Sequence, residues 1–219
     1  MQKEPIQTSY RSELREKILR VAMQEFMGKG FRTVRMDDIA SLLGISKRTL
    51  YETYSNKEQL ILECVRMHEE EIDGIMAAYS SDPSHNVIDI IMEFYKLQIA
   101  SMTDSTPVLL SELKKYERVR EYMMSIRKTR RKKAVSFFKR GVEEGYIRAD
   151  VDFDIVLRIG DSSIEHAMKT KMYETFSIQH LMRNIIFLFI RGMCTAEGIK
   201  KVDAANAEMF ADSMRQDAQ

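Results

Sequence analysis

Proline and glycine are scarce in this chain, three and nine among 219 residues. So few helix breakers favour long helices over many short strands joined by turns. Cysteine is scarcer still. Cys64 and Cys194 lie far apart, each among apolar residues at helical spacing. Both read as small apolar fillers, and no second ligand nearby supports a metal or redox role. The longest unbroken apolar run, Ile185 to Ile190, falls far short of the roughly 20 residues that span a bilayer. Met1 to Arg11 is polar and lacks the apolar stretch of a signal peptide. These absences predict a soluble, cytoplasmic protein with no membrane partner.

Hydrophobic residues make up 44% of the chain, enough to build a core. The net charge is only +1, yet its distribution is uneven. Residues 1–60 hold 11 Lys/Arg against 8 Asp/Glu, a net of +3, and residues 114–140 hold 12 against 2, a net of +10. Two basic regions invite a nucleic-acid reading and need separate explanations.

Met1 to Tyr10 reads as a mobile polar lead. From Ser12, Leu14, Ile18, Val21, Ala22 and Phe26 recur at helical spacing until Gly28 and Gly30. Further helices are predicted over about 36–43, 46–53, 56–79, 84–102, 107–115, 117–144, 153–172 and 178–197. Asp37 and Asp38 suit the positive end of the second, Ser46 caps the third, and Thr106-Pro107 opens the sixth. No stretch alternates strictly enough for a strand. The fold class is all-α with about nine helices.

The strongest local signal runs from Asp38 to Tyr51. Two helices crossing steeply need a small residue at the contact (Ala40), a turn residue tolerant of positive φ (Gly44) and apolar plugs (Ile39, Leu43, Ile45, Leu50). A helical wheel turns Leu50 and Tyr54 inward and Arg48, Tyr51 and Glu52 outward, with Lys47 beside them. That face offers a cation for guanine edges or phosphates, an aromatic hydroxyl, and a carboxylate able to accept from cytosine. A helical hairpin with a solvated charged face fits the same spacing.

The stretch Gly30-Phe31-Arg32-Thr33-Val34-Arg35-Met36-Asp37-Asp38-Ile39-Ala40, followed by Gly44 to Tyr51 and Tyr54-Ser55-Asn56-Lys57-Glu58, closely resembles the N-terminal signature of the tetracycline-repressor (TetR) family. The resemblance implies a three-helix, homeodomain-like helix-turn-helix head over residues 1–56 and a helical effector-binding and dimerisation body over 57–219. It implies DNA contacts from Lys47, Thr49 and Tyr51, and a phosphate contact from Lys57. Three positions depart from the pattern. Arg48 stands where glycine is frequent and adds a base or phosphate contact; Arg35, a further DNA contact, stands where threonine usually caps the second helix. Thr53 replaces a tyrosine that reaches the DNA backbone. The partners implied are a palindromic double-stranded operator, a second copy of the chain and an unidentified small-molecule effector. No catalytic residue, metal or cofactor is expected.

The body agrees less specifically. Gly160, Ser163 and Ala167 place small side chains on one helix, and Ile185, Leu188, Phe189, Gly192 and Ala196 form a matching stripe. Such stripes suit a four-helix dimer seam or a buried pair within one chain. The chain holds 16 methionines, which fit adaptable cavities as well as plain core. The effector cavity is expected to involve Met92, Tyr95, Met123, Arg130, Phe137 and Met168. On the wheel Arg130 and Lys133 share the face of Phe137, so each needs a partner. Glu69-Glu70-Glu71, Asp161 or Glu165, and an anionic effector are all open.

Three functions stay in play: a ligand-controlled repressor, a constitutive DNA binder without effector, and a helical enzyme. The last finds no support, since His68, His85, His166 and His180 lack ligand spacing and no phosphate loop or catalytic triad order is present.

Overall fold

A computed structural model describes the backbone of residues 4–100, 102 and 106–216, and side chains from 10 to 99, 102 and 106 to 207. Among these residues the chain is all-helical: α1 (Glu4–Lys29), α2 (Met36–Leu43), α3 (Lys47–Thr53), α4 (Lys57–Ser80), α5 (Val87–Ala100), α6 (Thr106–Leu113), α7 (Glu117–Glu143), α8 (Phe153–Lys169), α9 (Ile178–Met193) and α10 (Ala196–Gln216). A one-turn 3-10 helix, Met172–Glu174, lies between α8 and α9. No described helix is long and apolar enough to cross a membrane.

Two expectations change. The segment read as a mobile lead is helical from Glu4, while residues 1–3 lie outside the described residues. The last predicted helix, 178–197, ends at Met193, and a further helix, α10, follows over Ala196–Gln216, giving ten. Arg148 N–H donates to Met193 O (2.9 Å) and Thr195 N–H to Tyr146 O (2.9 Å), which draws Cys194 into an extended conformation and ends α9. The Thr195 hydroxyl then accepts from Gly198 N–H (3.2 Å) and caps α10. Ala196, expected in the α9 stripe, therefore opens α10.

The chain forms two compact units. The first runs up to Glu71 and includes Val108–Ser125; the second comprises Ile72–Pro107 and the chain from Ile126 onward. The head was expected to end at residue 56. Its core instead takes in Leu60, Ile61 and Cys64 of α4, Leu109 and Leu113 of α6, and Val119 of α7. One long and two short helices offer too little apolar area alone, and these long-range residues close it. The second unit is built around Val87, Ile88, Ile91, Ile147, Ile178, Leu181 and Val202.

Candidate nucleic-acid interface

The head is assembled by local chemistry. Arg35 occupies the N-cap of α2, and a guanidinium cannot accept a hydrogen bond, so it provides no side-chain cap. Asp38, three residues on, accepts the Arg35 N–H at 2.8 Å. Gly44 ends α2 at φ +64, and Ile45 N–H returns to Ala40 O at 3.1 Å. Ser46 caps α3 by accepting from Thr49 N–H (3.0 Å). Leu50 and Tyr54 are fully buried, as the wheel requires. Burial pushes the Tyr54 hydroxyl up to about 12, and it reaches Arg15 O at 3.5 Å.

The outer face of α3 is what remains. Lys47, Arg48 and Tyr51 are exposed. Both cations are held by acids: Lys47 Nζ lies 2.6 Å from Asp37 Oδ2, and Arg48 Nε lies 2.7 Å from Glu52 Oε1. Each hydrogen bond raises its cation's pKa. Exposed pairs of this kind contribute little net energy, so they orient the cations while leaving them able to exchange partners. Arg35 is exposed at the edge of α2. Thr49 is half-buried and its hydroxyl shares a hydrogen bond with Ser46 (2.8 Å), leaving it less available than expected. Lys57 is also half-buried. Its Nζ donates to Arg32 O at 3.3 Å and lies over the Phe26 ring, and burial lowers its pKa although Glu112 and Asp38 oppose that shift.

The body residues divide differently from the expectation. Met123 packs against the first unit's core, whereas Met92, Tyr95, Phe137 and Met168 belong to the second. Arg130 Nη2 meets Asp73 Oδ1 at 3.1 Å. Asp161 receives Arg131 instead, and Lys133 is exposed rather than facing the core. Long flexible cations rotate their heads to solvent or to whichever acid lies in reach, which a wheel cannot register.

On α8 and α9, Ala167 is buried in the body's own core. Gly160 faces Phe189 of the same chain, 3.8 Å from a β-carbon position, so that pair packs within the protomer. An open groove of about 520 Å³ is lined by Ile159, Ser163, Ala167, Met172, Leu181 and Ile185, among others, and by none of the expected effector residues. On the same two helices, α8 and α9, Ile155, Ile159 and Leu188 are 54%, 50% and 71% exposed. Ile155 and Ile159 were missed, although their i, i+4 spacing was visible. Among the described residues no group of three or more His, Cys, Asp or Glu could hold a metal.

A helix-turn-helix on a closed core, with two cations and a tyrosine on its outer face, defines a DNA-binding regulator. Residues 18–64 match the family model for bacterial regulatory proteins of the tetR family. The HTH-type transcriptional repressor KstR2 of Mycobacterium tuberculosis is 28% identical over 156 residues, spanning 66% of this chain and 74% of that one. The HTH-type regulator YvaF of Bacillus subtilis is 35% identical over 101 residues, 46% of this chain and 53% of that one. Among solved structures, a transcriptional regulator from Saccharomonospora viridis in complex with choline shares the fold at a TM-score of 0.69 and 17% identity, covering 84% of this chain and 99% of that one. The match to the TetR family thus covers the DNA-binding head, residues 18–64.

Proposed function

We propose that this protein is a homodimeric, cytoplasmic transcriptional repressor, not an enzyme, that grips a palindromic operator with α3 of each head and is released by a small-molecule effector. The observation that carries the reading is the outer face of α3, where Lys47, Arg48 and Tyr51 stand exposed over a buried Leu50. Its relatives named as HTH-type transcriptional repressors support repression. The exposed apolar residues Ile155, Ile159 and Leu188 support assembly through α8 and α9, since large apolar groups left together in water mark an interaction surface.

The test is DNA binding by fluorescence anisotropy, using duplexes selected from a random pool, between 50 and 200 mM salt. A dimer on a palindrome should show half-sites about 34–36 Å apart and a log–log salt slope of about −0.9 per phosphate contacted. A flat salt response would reject the reading. The effector is tested by adding small molecules to the preformed complex. A constitutive binder is the second reading, favoured by Met92, Tyr95, Phe137 and Met168 packing with the body core rather than lining the groove. Retention on the operator across a broad metabolite set would establish it.

A further inference from the structure

The turn between α1 and α2 leaves the Arg32 N–H without a partner in its own backbone, and the structure fills it from a distant helix. Glu112 of α6 accepts that N–H through Oε2 at 3.0 Å. The same oxygen lies 3.2 Å from a β-carbon position on Gly30, which sits at φ +90, so the carboxylate nests against bare backbone. Lys57 Nζ donates to the carbonyl of the same Arg32 (3.3 Å), and Glu112 is close enough to act on its charge. The Arg32 side chain itself is exposed. Leu109 and Leu113, on either side of Glu112 in sequence, are buried in the head's core, and Tyr116 donates to Phe31 O (3.4 Å), which holds the carboxylate in place.

A backbone N–H, an ammonium and a guanidinium around a glycine-opened turn form the donor set that proteins use to hold DNA phosphates. We infer that the α1–α2 turn with Lys57 is a phosphodiester-binding notch, and that Glu112 occupies it in the free protein as an internal anion competing with the DNA backbone. This inference rests on the DNA-binding reading and deepens it. A phosphate arriving at Lys57 meets a carboxylate already seated on the adjacent N–H, so part of the head's attraction for DNA is cancelled until the carboxylate withdraws. The notch thereby limits sequence-independent binding, whatever face α3 presents.

Glu112→Gln separates charge from shape, because the carboxamide still accepts the Arg32 N–H. Anisotropy titrations with the selected operator and with an unrelated duplex should both tighten, by about three- to tenfold at low salt, and the log–log salt slope should steepen by about 0.9 as one more phosphate is neutralised. Lys57→Met in the wild-type background should change that slope little, whereas in the Glu112→Gln background it should remove the gained increment. A purely structural role for Glu112 would move the melting temperature and leave the slope unchanged. Unchanged or weaker DNA binding by Glu112→Gln, with wild-type melting, overturns the inference while leaving the DNA reading intact. Should Glu112→Gln melt early, a Lys57→Met loss of a full 0.9 in the wild-type background overturns it equally. Absence of salt-dependent binding by the wild-type protein overturns both.

Discussion

Gly198, in the first turn of α10, lies so close to the Tyr146 carbonyl that a β-carbon there would collide with the oxygen. The contact exists because Tyr146 O also accepts the Thr195 N–H that redirects the chain between α9 and α10. Backbone cannot retreat as a flexible side chain can. Gly198→Ala should therefore destabilise the protein by about 1–3 kcal/mol or more. Gly74, inside α4, has nothing within 4 Å of its β-carbon position. Gly74→Ala should instead stabilise by about 0.5–1 kcal/mol through helix propensity. Thermal melts of the two variants should move in opposite directions.

Both cysteines are buried, and burial pushes their thiols up, Cys64 to about 12 and Cys194 to about 11. A thiolate is the reactive form, so neither should react with an aromatic disulfide reagent at pH 8 until denaturant is added. The raised folded values favour the neutral thiols in the native state. Their contribution to stability is fully present below the unfolded thiol value near 9.0 and is lost as pH rises through about 11 and 12. The melting temperature should fall across that alkaline window, and less steeply in a Cys64→Ala variant.

Arg48 and Glu52 form an exposed pair one turn apart on α3. If Arg48 reads a guanine edge, Arg48→Ala should relax preference at one base-pair position by about tenfold or more. Binding to other positions should keep its pattern. Selection from a randomised duplex pool reads this directly, and an unchanged consensus would reduce Arg48 to a phosphate contact.

Leu188 is 71% exposed within the protomer. Leu188→Asp removes no contact from the protomer core, so folding should survive. In the proposed α8–α9 seam the new carboxylate would be desolvated without a partner. Sedimentation should show monomers, and operator affinity should fall by about two orders of magnitude as the second head's contribution is lost. A stable dimer with unchanged affinity would move the interface to another face.

The head was legible because its determinants are local. The turn at Gly44, the cap at Ser46 and the inward Leu50 and Tyr54 each depend on neighbours within a few residues, where helical spacing and turn chemistry act directly. The α4 start fits the same rule, with Asn56 Oδ1 accepting from Gln59 N–H at 2.9 Å. Other features depend on residues far apart in the chain, and spacing carries no record of them. The break at Cys194 has no proline and no glycine at the cap itself to mark it; residues 146–148 impose it through backbone hydrogen bonds. The partners of Arg130 and Arg131 are set by which acids α4 and α8 bring within reach of α7. Met123 and Met168 look alike on a wheel, yet they pack in different units. The sequence alone determined a helical chain with a DNA-reading head, because periodicity and capping are written in nearest neighbours. The tertiary structure alone decided that Glu112 sits on the α1–α2 turn, because 80 residues separate it from Arg32 and only packing closes that distance.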